Sequence, residues 1–243
     1  MIEHASWGLA AVIVGLTLLA AVVAGLNQLG VTRAVVNAVA RAVLQLAAVS
    51  LIIVWVFRSG WWTAVFIALM LTIASWTSAR RIGERGRDAW WTFVPISAGF
   101  LPVLGAVLAT GAVPLEPEAV LPISGIVLGG AMTGTSLVGR LAVAELRNRR
   151  GEYEAALSIG LVEREAALML IRPLASQALL PAMDQTRTVG LVTLPGAFVG
   201  VLLGGGSPAQ AGAAQILVLV GILTAQIIAM VIALDILARE GAV

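Results

Sequence analysis

Asn37, Arg41 and Gln45 recur every four residues in VVNAVARAVLQL, a stretch that is otherwise apolar. In a helix each step of four turns the chain by about 400°, so the three polar groups fall on one slowly drifting stripe. Placing a guanidinium among hydrocarbon costs about 2.5–3.5 kcal/mol on insertion scales, so the stripe is expected to face a helix bundle or a wet cavity, with a carboxylate opposite Arg41. Asp184 is the first candidate partner. Asp235 is the second, although its place near a helix end also suits a solvated cap. Such a pair either locks helix register or changes partners as a gate, and both readings stay open. Pro195-Gly196 adds a break in an apolar run, read either as a helix start or as a broken helix lining a pathway.

A second set of residues suits contact rather than chemistry. In GEYEAALSIGLVEREAALMLIRP, Tyr153, Leu157 and Leu161 recur at four-residue spacing, Gly160 is a weak helix position, and Glu163, Arg164 and Glu165 open another helical run. Helix, glycine break and helix make an elbow with Glu154, Ala155, Ala156 and Gly160 at its bend, shaped to press into a groove of another protein.

Several chemistries are excluded by residue inventory. The chain has no cysteine, and its one histidine, His4, has no partner for a ligand cluster. All fifteen basic residues are arginine, so a Walker lysine and a Schiff-base lysine are both missing. No catalytic residue and no cofactor are expected, and no metal ligand set is assigned. A pI near 10.3 with a net charge of only +2 reflects loop arginines, and no nucleic-acid partner is expected.

These residues must be positioned by lipid-embedded helices. Hydrophobic residues make up 60% of the 243, charged residues only 12%, and the mean hydropathy is +1.00. Apolar runs at about 6–29, 34–57, 61–79, 90–112, 119–146, 188–206 and 211–237 predict an all-α polytopic membrane protein of seven spans. The first run lacks a leading positive charge and exceeds a signal-peptide core, so it is expected to be retained. The tryptophans stand at the ends of the early runs. Arginines cluster at Arg80, Arg81, Arg85 and Arg87, and again from Arg147 to Arg187, whereas Arg58, Glu116 and Glu118 mark the opposite side. The N-terminus is therefore expected outside and the C-terminus inside. Residues 1–243 are read as one transmembrane domain, with 147–187 a cytoplasmic helical segment. Gly125, Gly129, Gly130 and Gly134 read as helix-packing positions.

The elbow carries a resemblance. Glu154-Ala155-Ala156, Gly160 and Pro173 resemble the EAA loop of ABC-transporter permeases, with Leu170 and Arg172 departing from its pattern. ARAVLQL at 40–46, LPISGIVLGGAM at 121–132 and TVGLVTLPGAFVG at 188–200, with Asp184 just before it, resemble the FetB-like family of ABC permeases. That family includes bacterial iron exporters and plant permeases linked to aluminium tolerance. Ala197-Phe198 replaces a methionine pair common there, and Gly130 an asparagine.

The resemblance implies the permease subunit of an ABC transporter, a homodimer in the bacterial cytoplasmic membrane, with ATP hydrolysis in a separate ATPase chain. Its cargo would be iron or another metal, free or complexed. The residue inventory is at odds with a free metal ion, because hard cations want clustered oxygen ligands and the spans hold few carboxylates; either two protomers pool Asp184, or the ion travels complexed, or the cargo is an organic anion. Arg41 suits an organic anion such as a nucleotide sugar. A secondary carrier or channel is the remaining alternative, for which a dense polar lining is missing.

Overall fold

Twenty residues with a single hydroxyl among them form α1 (Trp7–Leu26), about 30 Å long, and Thr17 turns that hydroxyl back onto the Ile13 carbonyl at 2.7 Å. A turn held by Leu29 N–H donating to Ala24 O at 3.0 Å reverses the chain into α2 (Thr32–Val56). Ala21 and Ala24 are buried, while most of α2 stays exposed within the chain. Arg58 closes this first unit by stacking its guanidinium 3.8 Å from the Trp55 ring centre. The computed structural model describes residues 7–83, 87–111 and 113–239; His4 and Arg85, weighed above, lie outside them.

The second unit, from Ser59 onward, is built on four helices. They are α3 (Gly60–Ile82), α4 (Phe93–Ala109), α5 (Pro117–Asn148) and the later α10 (Pro208–Arg239), with a 3₁₀ turn at Arg87–Thr92 leading into α4. Between α5 and α10 the chain forms α6 (Arg150–Ser158), α7 (Glu163–Ile171), α8 (Leu174–Thr188) and α9 (Gly196–Leu203). Among the described residues there is no strand, only an isolated bridge between Val189 and Thr193.

Small residues set the packing. A Cβ on Gly99 of α4 would collide with the Ala225 carbonyl oxygen of α10. One on Gly130 would lie 2.9 Å from Ile222, and one on Gly134 would touch Met230 and Gln226. On the other side of α5, Gly125 meets Met70 and Gly139 meets Ile82, both of α3. Pairings that climb together along the sequence show that α3, α5 and α10 run in the same direction, whereas α4 runs against α10, with Gly99 opposite Ala225 and Val103 opposite Gly221. Backbones this close gain dispersion contact that lipid tails cannot match. Three of the four glycines singled out in the sequence therefore pack a helix; Gly129 faces open space.

Among the described residues seven helical stretches are long and apolar enough to cross a membrane, and the protein is an all-α, multi-pass membrane protein. Six of them fall where the apolar runs place them. The sixth does not. Residues 188–206 contain a turn and the eight-residue α9, about 12 Å long, which is too short to cross. The sixth stretch is instead Glu163–Thr188, where α7 and α8 join almost without interruption through Arg172 and Pro173, both in right-handed helical geometry. Apolarity alone misplaced it, because Gly190 at φ +80° and Pro195 break the more apolar run, while the charges of α7 and α8 disguised the longer helix. The segment 147–187 is thus divided: α6 and its turn stand apart from an α7–α8 stretch long enough to cross.

Candidate coupling and transport site

The elbow is built from the end of α5. Arg149 closes that helix and bridges two carboxylates, donating from Nη1 to Glu145 at 3.2 Å and from Nε to Glu152 at 2.7 Å. Its second terminal nitrogen also meets Glu152. The shared hydrogen bonds hold the Glu152 carboxyl below its ordinary range, and Glu152, with Glu145 behind it, raises the Arg149 guanidinium above its own. One arginine fork thus fixes the angle at which α6 leaves α5.

Along α6, Tyr153 and Ala156 are buried in a cluster with Leu146, Ala166, Leu170, Leu174 and Leu237, while Glu154 and Ala155 face outward. Glu154 accepts from Arg150 Nε at 3.0 Å, one turn back. Gly160 ends the helix at φ +99°. Its N–H donates to Leu157 O at 3.0 Å and the Leu161 N–H reaches Ala156 O at 3.2 Å, the crossed pair of a Schellman turn. Nothing lies within 4 Å of where a Gly160 Cβ would stand, so it is the left-handed backbone, not crowding, that demands glycine there. Beyond it Ile159 and Val162 project at 81% and 60% exposure, and Glu163 and Glu165 occupy the first turn of α7, where they complement the helix dipole. Glu154, Ala155 and Gly160 therefore form one exposed bend, with Ala156 buried beneath it.

The other predicted residues are spread more widely. Asn37, Arg41 and Gln45 are all exposed on α2 in the first unit. Asp184, in the second unit, is exposed on α8 and pairs with Arg187 one turn on, at 3.4 Å. Pro195 caps α9 and Gly196 is its first residue. Asp184, Pro195 and Gly196 thus flank the same interruption, the 189–195 turn, in which Leu191 and Val192 N–H groups both return to Thr188 O at 3.2 and 3.0 Å. That turn shows Leu191, Val192 and Leu194 to the outside, Leu191 at 89% exposure.

Asp235 has a role that its position near a helix end did not reveal. Its Oδ1 accepts from Arg164 Nε at 2.8 Å and also from Arg164 Nη2, and its Oδ2 accepts from Arg239 Nε at 2.8 Å. The Arg239 contact, one turn away, is legible in the sequence; the Arg164 contact, 71 residues away, is not. Among the described residues no group of three or more His, Cys, Asp or Glu is placed to hold a metal ion.

Comparison with known proteins follows this geometry. The model of the Uncharacterised protein family UPF0014 matches residues 7–241. The chain is similar to the rice UPF0014 membrane protein STAR2, with 32% identity over 79% of this chain and 68% of that one. It is also similar to Protein ALUMINUM SENSITIVE 3 of Arabidopsis thaliana, with 28% identity over 83% of this chain and 75% of the other. The Probable iron export permease protein FetB of Escherichia coli is 26% identical over 90% of this chain and 85% of its own length. No solved structure matches. The match spans both units, from the start of α1 to beyond α10, and the chain belongs to the UPF0014 family of membrane proteins.

Proposed function

We propose that the chain is the permease subunit of an ATP-driven exporter, working as two copies with a separate ATPase in the cytoplasmic membrane of a bacterium. The observation that carries this reading is the bend at Glu154–Gly160, an exposed helix end braced by Arg149 and packed on α5, α7 and α10. A chain without lysine cannot hold the β- and γ-phosphates of ATP in a Walker loop, so hydrolysis belongs to a partner. The elbow is where that partner presses.

The N-terminus lies outside and the C-terminus inside. With α7–α8 as the sixth crossing, Arg33, Arg80, Arg81, Arg147, Arg149, Arg150, Arg164 and Arg239 share the cytoplasmic side, and Arg58 and Arg187 the other. Arg41 and Asp184 each contribute a charge to the transport machinery, Asp184 held by Arg187 at rest. Asn37 and Gln45 extend the polar stripe on α2, and the Pro195-Gly196 break adds a helix start to the machinery.

The cargo is iron or another metal, in line with the name of the Escherichia coli relative. With no cluster of metal ligands among the described residues, the ion travels complexed or meets ligands pooled from two copies. A second reading, export of an organic anion such as a nucleotide sugar, is favoured by the exposed Arg41.

Affinity purification of the tagged chain from native membranes tests the central claim. A P-loop ATPase of stoichiometric amount is expected, and its absence overturns the reading in favour of a stand-alone carrier.

A further inference from the structure

The cluster that holds the elbow is lined with small side chains: Ala142, Ala166, Ala167, Ala233 and Ala238 are all fully buried there. Alanine faces let α7 and α10 approach closely, with Leu170, Ile171, Leu234 and Leu237 packed around them, and a directional contact adds to their register. Arg164 supplies it. Every other ion pair among the described residues joins groups three or four apart along one stretch of chain; Arg164–Asp235 alone joins α7 to α10. Asp235 is prepared for this contact, because Arg239 occupies its second oxygen and leaves the first aimed at α7.

α10 is suited to carry a displacement onward. Thirty-two residues make it about 48 Å long, and it lies in backbone contact with α4 at Gly99 and in close contact with α5 at Gly130 and Gly134. A rigid rod gripped along its length, with a charged handle near its cytoplasmic end, moves as one body when the handle is pulled.

We infer that Arg164 and Asp235 are the positioning residues that tie the coupling elbow to α10, so that a partner pressing on Glu154–Gly160 displaces α10 through this ion pair. The inference rests on the proposed ATPase partnership and says which contact inside the permease transmits its motion.

Absence of native cysteine makes a clean test possible. Ala209→Cys places one thiol on the exposed first turn of α10, at the far end from Asp235. Its labelling rate with a maleimide is measured in the purified permease–ATPase complex, with and without ATP. The tie predicts an ATP-dependent change in rate in the parent, reduced about fivefold or more by Arg164→Gln and by Asp235→Asn, with the ATPase still co-purifying. Arg164→Lys, which keeps the charge, is expected to preserve the change, whereas a merely structural loss is not rescued in this way. Arg164→Gln leaves Asp235 held by Arg239, so a folded protein remains to be measured. An unaltered ATP response in Arg164→Gln overturns the tie, and so does a parent complex whose labelling ignores ATP. Failure of the ATPase to accompany the unmodified chain appears at the earlier purification step and defeats the partnership itself.

Discussion

The α1–α2 hairpin and the α4–α5–α10 core are equally apolar in sequence and opposite in packing. Leu44, Leu46 and Leu51 on α2 are exposed at 70%, 68% and 78%, whereas Phe100, Ala131, Ala225 and Ala229 are fully buried. Contacts inside the chain therefore decide what the core residues do. On α2 the same residue types, and the Asn37–Arg41–Gln45 stripe with them, are left exposed within the chain. Apolarity says that a helix belongs in the membrane; small residues say which face of it is spoken for.

The contrast breaks most sharply at Gly99. Gly99→Ala forces a methyl group onto the Ala225 carbonyl and is expected to destabilise by about 3 kcal/mol. Leu44→Ala on α2 should change the detergent-extract melting temperature little. Equal losses at the two sites, read by thermal unfolding, would mean that the hairpin is as tightly packed as the core. Gly139→Ala is expected to fall between them, because its neighbour is the mobile tip of Ile82.

A smaller effect is expected at the elbow. Gly160→Ala meets no obstacle, yet must hold φ +99°, at a cost of about 1–2 kcal/mol confined to the end of α6. The expected consequence is reduced co-purification of the ATPase with a nearly unchanged melting temperature, since the cost is local to the bend. Gly196→Ala, equally uncrowded and without a left-handed backbone, should leave both unchanged.

On the exposed stripe the expected change lies in transport rather than in stability. Arg41→Gln, Asp184→Asn and their combination should melt close to the parent, since these groups are exposed within the chain. Vesicle assays with iron as the probe should show all three impaired. Full transport by the double variant reduces Arg41 to scaffolding.

The smallest effect depends on pH. Glu152 has its folded pKa lowered by Arg149, so its contribution is present above its ordinary value of about 4.5 and is lost as pH falls through the depressed one. Limited proteolysis between α5 and α6 should accelerate below about pH 4.5 in the parent, and Arg149→Gln should abolish that dependence.

Much of this was legible in the residues. Six crossings followed from apolar length, and the bend at Gly160 from a glycine set between two helical runs. The sixth crossing was not legible, because its signal lies in backbone breaks at Gly190 and Pro195 that a count of apolar side chains ignores. Asp235 read as a cap because it stands near a helix end; no spacing rule joins it to Arg164. Asp184 was set against Arg41 in the sequence, whereas in the structure it pairs with Arg187 three residues on, a local offset that Arg41's need for a carboxylate obscured.

The parallel run of α3, α5 and α10 has a consequence for biogenesis. Two helices that neighbour each other in the same direction cannot be joined by a short turn, so each pair must wait for an intervening crossing to be threaded first. Until α10 leaves the ribosome, the grooves at Gly99, Gly130 and Gly134 stand open to lipid. The protein therefore reaches its assembled core only with its last helix, and a chain arrested before residue 208 is left with its small-residue grooves unfilled.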